Sequence, residues 1–169
     1  MGVIAPAGTV VSLHIAPTAG APMETVTEVR ALPGRGLEGD RYFLGTGVYS
    51  AKPSFGGREV TLIEREAIEA LLDGVTNAAG HRLGIKLEPG AARRNIVTSG
   101  VALNHLVNRE FTVGSVRMVG TRLCEPCKYL ESLTEAGVMG GLVHRGGVRA
   151  RILTEGIIRT GDVVRAGGR

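Results

Sequence analysis

Glycine and proline interrupt this sequence so often that short strands are the main regular structure its segments can form. Of its 169 residues, 26 are glycine and 7 are proline, and the runs between them are rich in β-branched residues. We predict strands at 8–16, 24–32, 93–100, 110–113 and 116–123. Gly114 and Ser115, which separate the last two runs, suit the type II′ turn of a β-hairpin.

The C-terminal segment 148–165 is predicted to contain two more strands joined around Glu155 and Gly156, which brings the total to at least seven. A short helix is predicted at 101–108. Many short strands with one or two helices favour a mainly β, closed or nearly closed β-barrel, because closure hides the strand edges and gathers the loops at the ends. The sequence has no internal repeat, low-complexity tail or linker, so residues 1–169 are expected to form a single domain.

One segment has clear helical periodicity. Apolar residues recur on a single face of the segment 61–74. Thr61 and Glu64 have the spacing of a capping box, and Gly74 suits the end of a helix. We therefore predict the longest helix at Glu64–Leu72, as a packing element that carries no chemistry.

Arginine dominates the positive charge of the chain. The sequence has 20 basic and 16 acidic residues, a formal net charge of +4, and 17 of the basic residues are arginine. Five of them lie in or beside glycine-rich or turn segments, where a ligand can approach the backbone: Arg35, Arg41, Arg58, Arg93 and Arg94. Because the guanidinium group presents a rigid fork of donors, this composition indicates an anionic ligand. The alternative explanation is a coding bias in a chain that is also rich in alanine and glycine.

Composition argues against nucleic acid and membranes as partners. The basic residues are dispersed, and only six aromatic residues are present to stack on bases. The N-terminal segment has no charged region and no apolar run long enough to act as a signal peptide or to span a membrane. We therefore expect a cytoplasmic protein, whose thiols stay reduced.

The two cysteines, Cys124 and Cys127, lie in the sequence MVGTRLCEPCKYLE. Such a pair can be a dithiol redox centre, half of a zinc site, two inert buried thiols, or one reactive or metal-ligating thiol beside a bystander. The βαβ context of dithiol centres is missing, and His105 and His144 could complete a Cys₂His₂ zinc site only at unusual spacings. Polar residues between and after the cysteines indicate a solvent-reachable turn, which favours a single reactive thiol.

Position distinguishes the two thiols. Cys124 continues the strand predicted at 116–123, so its side chain is expected to alternate into a packed face. Cys127 follows Pro126, where the chain has turned off the strand and a side chain can face a cavity. Lys128 beside it, or an arginine brought near by the fold, would favour the thiolate. We therefore predict that Cys127 is the reactive thiol.

The segment 89–130, PGAARRNIVTSGVALNHLVNREFTVGSVRMVGTRLCEPCKYL, resembles the signature region of the MOSC domain, the C-terminal domain of molybdenum cofactor sulfurases. Arg94 and Asn95 match the family's Arg-Asn pair ahead of a strand, and Cys127 matches its cysteine at the end of a later strand. GLEGDRY at 36–42 and the closing strands of the chain are similar to elements of free-standing bacterial members. The likeness therefore spans nearly the whole sequence.

The resemblance implies a barrel of the pyruvate-kinase-barrel type and a cysteine that either carries sulfur or ligates molybdenum. On this basis Cys127 is expected to be the catalytic residue and the metal ligand. The resemblance also implies a molybdenum cofactor, and we expect Arg94, Asn95, Arg41 and Arg93 to bind it, because arginine recognises phosphate bidentately. The alternative for Arg94 and Asn95 is a structural role, as a salt bridge at the start of a strand and a turn-capping amide.

The resemblance implies two functions. Some relatives reduce N-hydroxylated compounds on a bound molybdenum cofactor with electrons from partner proteins, and a small reductase of this kind is our leading hypothesis. Others hand on sulfur as a persulfide, so the alternative is a sulfur carrier for metal-sulfur cluster or cofactor assembly, supplied by a sulfur-donor protein. A thiol-disulfide redox protein using Cys124 and Cys127 is a third hypothesis. Pyridoxal phosphate is not expected, because no segment resembles the aminotransferase-like domain of the sulfurases and no lysine has Schiff-base surroundings.

Overall fold

The computed structural model describes residues 7–54, 57–76 and 79–167. In these ranges the chain forms thirteen strands: β1 (Ala7–Ile15), β2 (Glu24–Val26), β3 (Glu28–Leu32), β4 (Gly36–Leu37), β5 (Val60–Glu64), β6 (Val75–Thr76), β7 (Arg82–Leu83), β8 (Ile96–Ser99), β9 (Glu110–Val113), β10 (Val116–Leu123), β11 (Val148–Ile152), β12 (Gly156–Arg159) and β13 (Val163–Ala166). The same ranges contain four α-helices: α1 (Arg41–Leu44), α2 (Arg65–Asp73), α3 (Lys128–Ser132) and α4 (Val138–Gly141). Two 3₁₀ turns span Pro89–Ala92 and Leu103–Leu106.

Seven of the strands close into a barrel. Around the ring they follow the order β1, β13, β9, β10, β11, β5 and β8, and β8 pairs again with β1. The pairing of β5 with β8 is parallel, and the other six pairings in the ring are antiparallel. Outside the ring, β2 extends from β1, the strands β12, β3 and β4 form a small sheet, and β6 pairs with β7. The predicted mainly β, closed barrel is confirmed.

The barrel interior is filled by alternate side chains of the ring strands. On β10, Val116 and Met118 are fully buried whereas Arg117 between them points to solvent, as the two-residue period of a strand requires. Phe111 is the largest side chain of the core that these residues share. Gly120 continues the inward row of β10, where a Cβ atom would overlap the carbonyl oxygen of Leu106. Glycine at this position lets the 3₁₀ turn Leu103–Leu106 pack directly against β10.

The predicted longest helix, Glu64–Leu72, is confirmed as α2 (Arg65–Asp73), but the periodic segment 61–74 that indicated it begins in a strand. Residues Val60–Glu64 are strand β5, in which Leu62 faces the barrel core and Ile63 faces the cluster beneath α2, so both are buried. Because both faces of β5 are covered, it has consecutive apolar residues, and these continue the apolar pattern of the helix in the sequence. Glu64 precedes α2 in an extended conformation without a side-chain capping bond, so the predicted capping box is wrong. The predicted stop at Gly74 is confirmed, since its N–H bonds to the Ala70 carbonyl.

Other local predictions need adjustment. The helices α1, α3 and α4 have four or five residues each, too few to leave a periodic signal, so the described residues contain more helices than the one or two predicted. The C-terminal segment holds three strands instead of two, because β12 leaves the barrel and pairs with β3. Gly114 in the predicted hairpin turn has φ +57°, the positive value that a II′ turn requires at this position. Among the described residues, no helix is long and apolar enough to cross a membrane.

Candidate functional site

All five predicted site residues meet in one pocket where β10 ends and β8 begins. The pocket has a volume of about 690 Å³, including the space open to solvent at its mouth. Its walls come from segments far apart in the sequence, and they include Arg41, Arg93, Arg94, Asn95 and Cys127. Closure of the barrel brings these segments to one rim. The structure therefore brings the predicted residues together, while their roles toward a ligand stay predictions.

Cys127 is a half-buried thiol held against the side chain of Tyr49. It immediately precedes α3 in an extended conformation, and its Sγ lies 3.7 Å from the hydroxyl oxygen of Tyr49. Burial raises the pKa of the thiol, but this effect is outweighed by the backbone N–H groups of Leu130 and Tyr129, the Tyr49 hydroxyl and the charge of Arg94. The pKa of Cys127 is therefore lower than that of an ordinary thiol, which favours the thiolate.

Tyr49 contacts the thiol and lies beside two cationic side chains. Its ring meets that of Tyr129 edge to face, with the centroids 6.5 Å apart. The Lys52 ammonium and the Arg58 guanidinium lie 5.4 and 5.9 Å from the centroid of the Tyr49 ring. The bond to Cys127 and burial raise the pKa of Tyr49, so its hydroxyl keeps its proton and can donate to the sulfur. Nothing in the sequence around Tyr49 signals this contact, and sequence reasoning missed the residue.

The second cysteine lines the same pocket at a more deeply buried position. Both thiols are free, but Cys124 is buried whereas Cys127 is half-buried. The carbonyl of Cys124 accepts a hydrogen bond from the Arg94 guanidinium, so this residue serves the structure through its backbone. In the described part of the chain no group of three or more His, Cys, Asp or Glu side chains could hold a metal ion. The alternative of a zinc site completed by His105 and His144 is therefore wrong.

Arg94 is a buried clamp between the segments that form the pocket. Its Nε donates to the Gly146 carbonyl at 2.8 Å, its Nη2 to the Cys124 carbonyl at 2.9 Å and its Nη1 to the Ala92 carbonyl at 3.2 Å. The alternative of a structural role thus has a geometric basis, although the partners are carbonyl oxygens and not a carboxylate. The charge remains on the pocket wall, where it acts on Cys127.

Asn95 joins three segments in the same way. Its Oδ1 accepts from the backbone N–H of Thr61 at 3.1 Å and from the Thr61 hydroxyl at 3.2 Å. Its Nδ2 donates to the His14 carbonyl at 3.1 Å. Asn95 is almost fully buried, so these bonds hold β1, β5 and the start of β8 together at the pocket.

Arg41 and Arg93 form one end of the pocket. Arg41 pairs with Asp40 at 3.0 Å, both side chains being buried, and its Nη2 donates to the Arg93 carbonyl at 3.3 Å. Arg93 donates from Nη1 to the Ala21 carbonyl at 2.7 Å, while its Nη2 is buried without a hydrogen-bond partner. Burial and the charge of Arg41 lower the pKa of Arg93, so a bound anion would relieve both effects.

Arg58 and Arg149 stand elsewhere on the pocket wall, and each keeps a buried nitrogen without a partner. These atoms are Nε of Arg58 and Nη1 of Arg149. The sequence identifies Arg58 only as one of five turn arginines. Arg149 was missed altogether, because an arginine in the middle of a short strand has no local signal of function. With Arg93, three arginines of the pocket have a donor that no described protein group satisfies.

A closed barrel with a half-buried thiol in an arginine-lined pocket defines a small β-barrel domain with a cationic pocket. The family model described as the MOSC domain matches residues 39–165. The chain therefore belongs to the MOSC domain family, as its resemblance predicts. No curated protein matches it significantly.

Solved structures share the fold at low sequence identity. The YuaD protein from Bacillus subtilis superposes with a TM-score of 0.70 at 16% identity, over 95% of this chain and 95% of that one. YiiM from Geobacillus stearothermophilus gives 0.67 at 15% identity, over 96% of this chain and 76% of that one. YiiM from Escherichia coli gives 0.63 at 14% identity, over 99% and 71%. These similarities support the fold.

Proposed function

We propose that the pocket binds the molybdenum cofactor, with Cys127 as a ligand to molybdenum, and that the protein is a small reductase of N-hydroxylated compounds. The observation that carries the proposal is the combination of a thiol with a lowered pKa and three arginine donors without partners in one pocket. Soft thiolates suit soft metals, and guanidinium groups suit the phosphate of a pterin cofactor.

The residues of the pocket fit such a group. A neutral ligand would leave the charges of Arg58, Arg93 and Arg149 uncompensated, whereas an anionic ligand would accept from their free N–H groups. We assign the pterin phosphate to the end of the pocket formed by Arg93 and Arg41. Cys127 faces the same space, so one ligand can meet both the thiolate and the cations. No lysine lines the pocket in the described part of the chain, so we do not include pyridoxal phosphate.

The protein's own groups would prepare the site and move a proton. When bound, the cofactor supplies two-electron chemistry, by which an N-hydroxylated compound, two electrons and two protons become the amine and water. The Tyr49 hydroxyl, 3.7 Å from Sγ, would hold the thiolate in position and is a protonated side chain within reach of it. The electrons must come from a separate electron-donor protein, which the proposal requires as a partner.

Metal analysis of matched cysteine variants tests the proposal. The protein is purified from a host that makes the cofactor, and molybdenum per chain and pterin fluorescence are measured for the wild type, Cys127→Ala and Cys124→Ala. We expect molybdenum in the wild type and in Cys124→Ala, and its loss from Cys127→Ala. Molybdenum at background level in the wild type, or equal retention by both variants, would reject Cys127 as the ligand.

A persulfide carrier is the second candidate, because one observation favours it independently of any metal. Cys127 is half-buried and favours the thiolate, and a persulfide anion formed on it would face the same arginines. Incubation with a cysteine-desulfurase sulfur donor should then produce about one cyanide-labile sulfur per chain, which is lost in Cys127→Ala and kept in Cys124→Ala. Cyanide-labile sulfur without molybdenum supports the carrier, and molybdenum without labile sulfur supports the reductase.

A further inference from the structure

Three arginines lie together where the pocket meets the outer face of the barrel, and none of them has a counter-ion among the described residues. Arg122 on β10 and Arg149 on β11 are directly opposite each other in the antiparallel ladder. The charges of both act on Arg58, whose pKa is lowered by burial first and by these two neighbours next. Like charges facing each other across a ladder destabilise a sheet. The folded chain therefore holds a cluster of mutually repelling cations, the Arg58–Arg149–Arg122 cluster.

In the part of the chain that the structure describes, no carboxylate lies within ion-pair distance of this cluster; Glu125 lines the same pocket but pairs with His144. Within the described ranges, none of the three arginines forms an ion pair with Asp or Glu, unlike Arg41 with Asp40 at the other end of the pocket. Arg58 is oriented by two neutral acceptors, since its Nη1 donates to the Lys52 carbonyl at 2.6 Å and its Nη2 to the Pro53 carbonyl at 3.2 Å. Its Nε and the Nη1 of Arg149 remain buried and unpaired in the pocket wall.

The cluster is distinct from the Arg93 end. Arg93 donates to the Ala21 carbonyl, and its own carbonyl accepts from Arg41. Arg58 instead donates to the Lys52 and Pro53 carbonyls, and Arg149 lies opposite Arg122 on the neighbouring strand. The charges that act on the two arginines differ in the same way, Arg41 and Asp40 on Arg93 but Arg149 and Arg122 on Arg58. Tyr42, which also lines the pocket, is the tyrosine that interacts with both arginines. The pocket thus contains two groups of arginines, each held by its own neighbours.

We propose that Arg58 and Arg149, with Arg122 beside them, form a second anion subsite that binds a phosphate-sized oxyanion, separate from the anion site at Arg93. The proposal rests on the proposed function only in assigning the pterin phosphate to the Arg93 end. The second oxyanion has two sources with the same chemistry: another phosphate of the cofactor itself, as in a dinucleotide form, or an anionic group on the substrate.

Stabilisation by inorganic phosphate tests the subsite in protein without cofactor. Thermal unfolding is followed as sodium phosphate replaces sodium chloride at constant ionic strength and pH, for the wild type, Arg149→Gln, Arg93→Gln and the double variant. Arg165→Gln on β13 is the control, since it removes one exposed arginine from a strand that does not adjoin β11. We expect about tenfold weaker phosphate binding for Arg149→Gln, a separate loss for Arg93→Gln, additive effects in the double variant and no change for Arg165→Gln.

The same experiment distinguishes a subsite from a structural role. Without phosphate, Arg149→Gln should melt at the same temperature as the wild type or higher, because it removes one of three repelling charges. A lower melting temperature of this variant in chloride, with its phosphate response intact, would overturn the proposal. Loss of the entire phosphate response in either single variant would also overturn it, because a single shared anion would then explain both ends.

Cofactor-loaded protein separates the two sources of the oxyanion. If the subsite holds a second phosphate of the cofactor, inorganic phosphate should no longer stabilise loaded wild-type protein. If it holds an anionic group of the substrate, phosphate should still stabilise the loaded protein, and Arg149→Gln should abolish that response. A phosphate response of loaded protein that Arg149→Gln leaves unchanged would place the second anion elsewhere. Failure to load molybdenum rejects the proposed function but leaves the phosphate experiment on unloaded protein decisive for the subsite.

Discussion

Replacing Arg94 with alanine should destabilise the fold, although arginine substitutions on protein surfaces usually have small effects. The side chain is only 7% exposed, and its three donors reach the carbonyl oxygens of Gly146, Cys124 and Ala92. These acceptors belong to the segment before β11, the Cys-x-x-Cys turn and the 3₁₀ turn before β8. The variant would therefore loosen the wall of the pocket at three places at once.

The expected cost follows from the acceptors left behind. A buried carbonyl that loses its donor costs about 1–3 kcal/mol. Water entering from the pocket can hydrogen-bond to these carbonyls, so the cost of each should lie near the lower end of that range. Taking about 1–1.5 kcal/mol for each of the three gives a loss of roughly 3–4.5 kcal/mol in the free energy of unfolding. For a domain of this size, about 2–4 °C of melting temperature corresponds to 1 kcal/mol, so Tm should fall by roughly 6–18 °C.

Urea unfolding followed by circular dichroism measures this loss in protein without ligand. Arg94→Lys keeps the charge but cannot reproduce the planar fork, so it should give an intermediate value. Arg117→Ala is the matched control, because its side chain is 53% exposed and paired with Glu110, and it should cost less than about 1 kcal/mol. If Arg94→Ala costs no more than the control, Arg94 does not hold the wall together. Its hydrogen bonds would then be free for exchange with a ligand.

Three further predictions concern the thiols, a buried histidine and a core glycine. Cys127 should react with iodoacetamide much faster than Cys124, and its rate should rise with pH through a midpoint below that of an ordinary thiol. Tyr49→Phe should move that midpoint upward. Equal reaction rates for the two thiols would contradict the assignment. Burial lowers the pKa of His14, whose ring bonds to the hydroxyls of Ser12 and Thr25, so its contribution to stability is complete above the unfolded pKa of about 6.5 and is lost as pH falls toward the folded value. His14→Gln should therefore reduce the loss of unfolding free energy between pH 7.5 and 5.5, and an unchanged pH dependence would refute this. Gly120→Ala should cost about 2 kcal/mol or more through overlap with the Leu106 carbonyl, whereas Gly84→Ala, which has room for a Cβ, should be nearly neutral in the same urea assay.

Much of the architecture could be predicted because it depends on local rules. Short β-branched runs between glycines indicate strands, and enough short strands without a second layer of helices favour closure into a barrel. The hairpin at Gly114 and the stop at Gly74 follow from backbone conformations that glycine adopts easily. The position of Cys127 also follows from local order, since the residue after Pro126 has left the strand. These features need only neighbours in sequence.

Burial on both faces explains where local rules failed. Residues Val60–Glu64 have apolar side chains on both faces of β5, because the barrel core covers one face and α2 covers the other. A pattern of this kind matches a helix and a fully buried strand equally well. Which one forms is decided by the ladder partners β8 and β11, and β8 comes more than thirty residues later in the chain.

The composition of the pocket was decided by the tertiary structure. The sequence alone identified Cys127 and the Arg94–Asn95 pair, and its abundance of arginine indicated an anionic ligand. It could not show that Arg149 would face Arg122 across a ladder, or that Tyr49 would reach a sulfur 78 positions away. It also could not show that the Arg94 guanidinium donates its hydrogen bonds to backbone carbonyls. Each of these facts depends on which strand ends meet when the ring closes, and that is a property of the register of seven strands together.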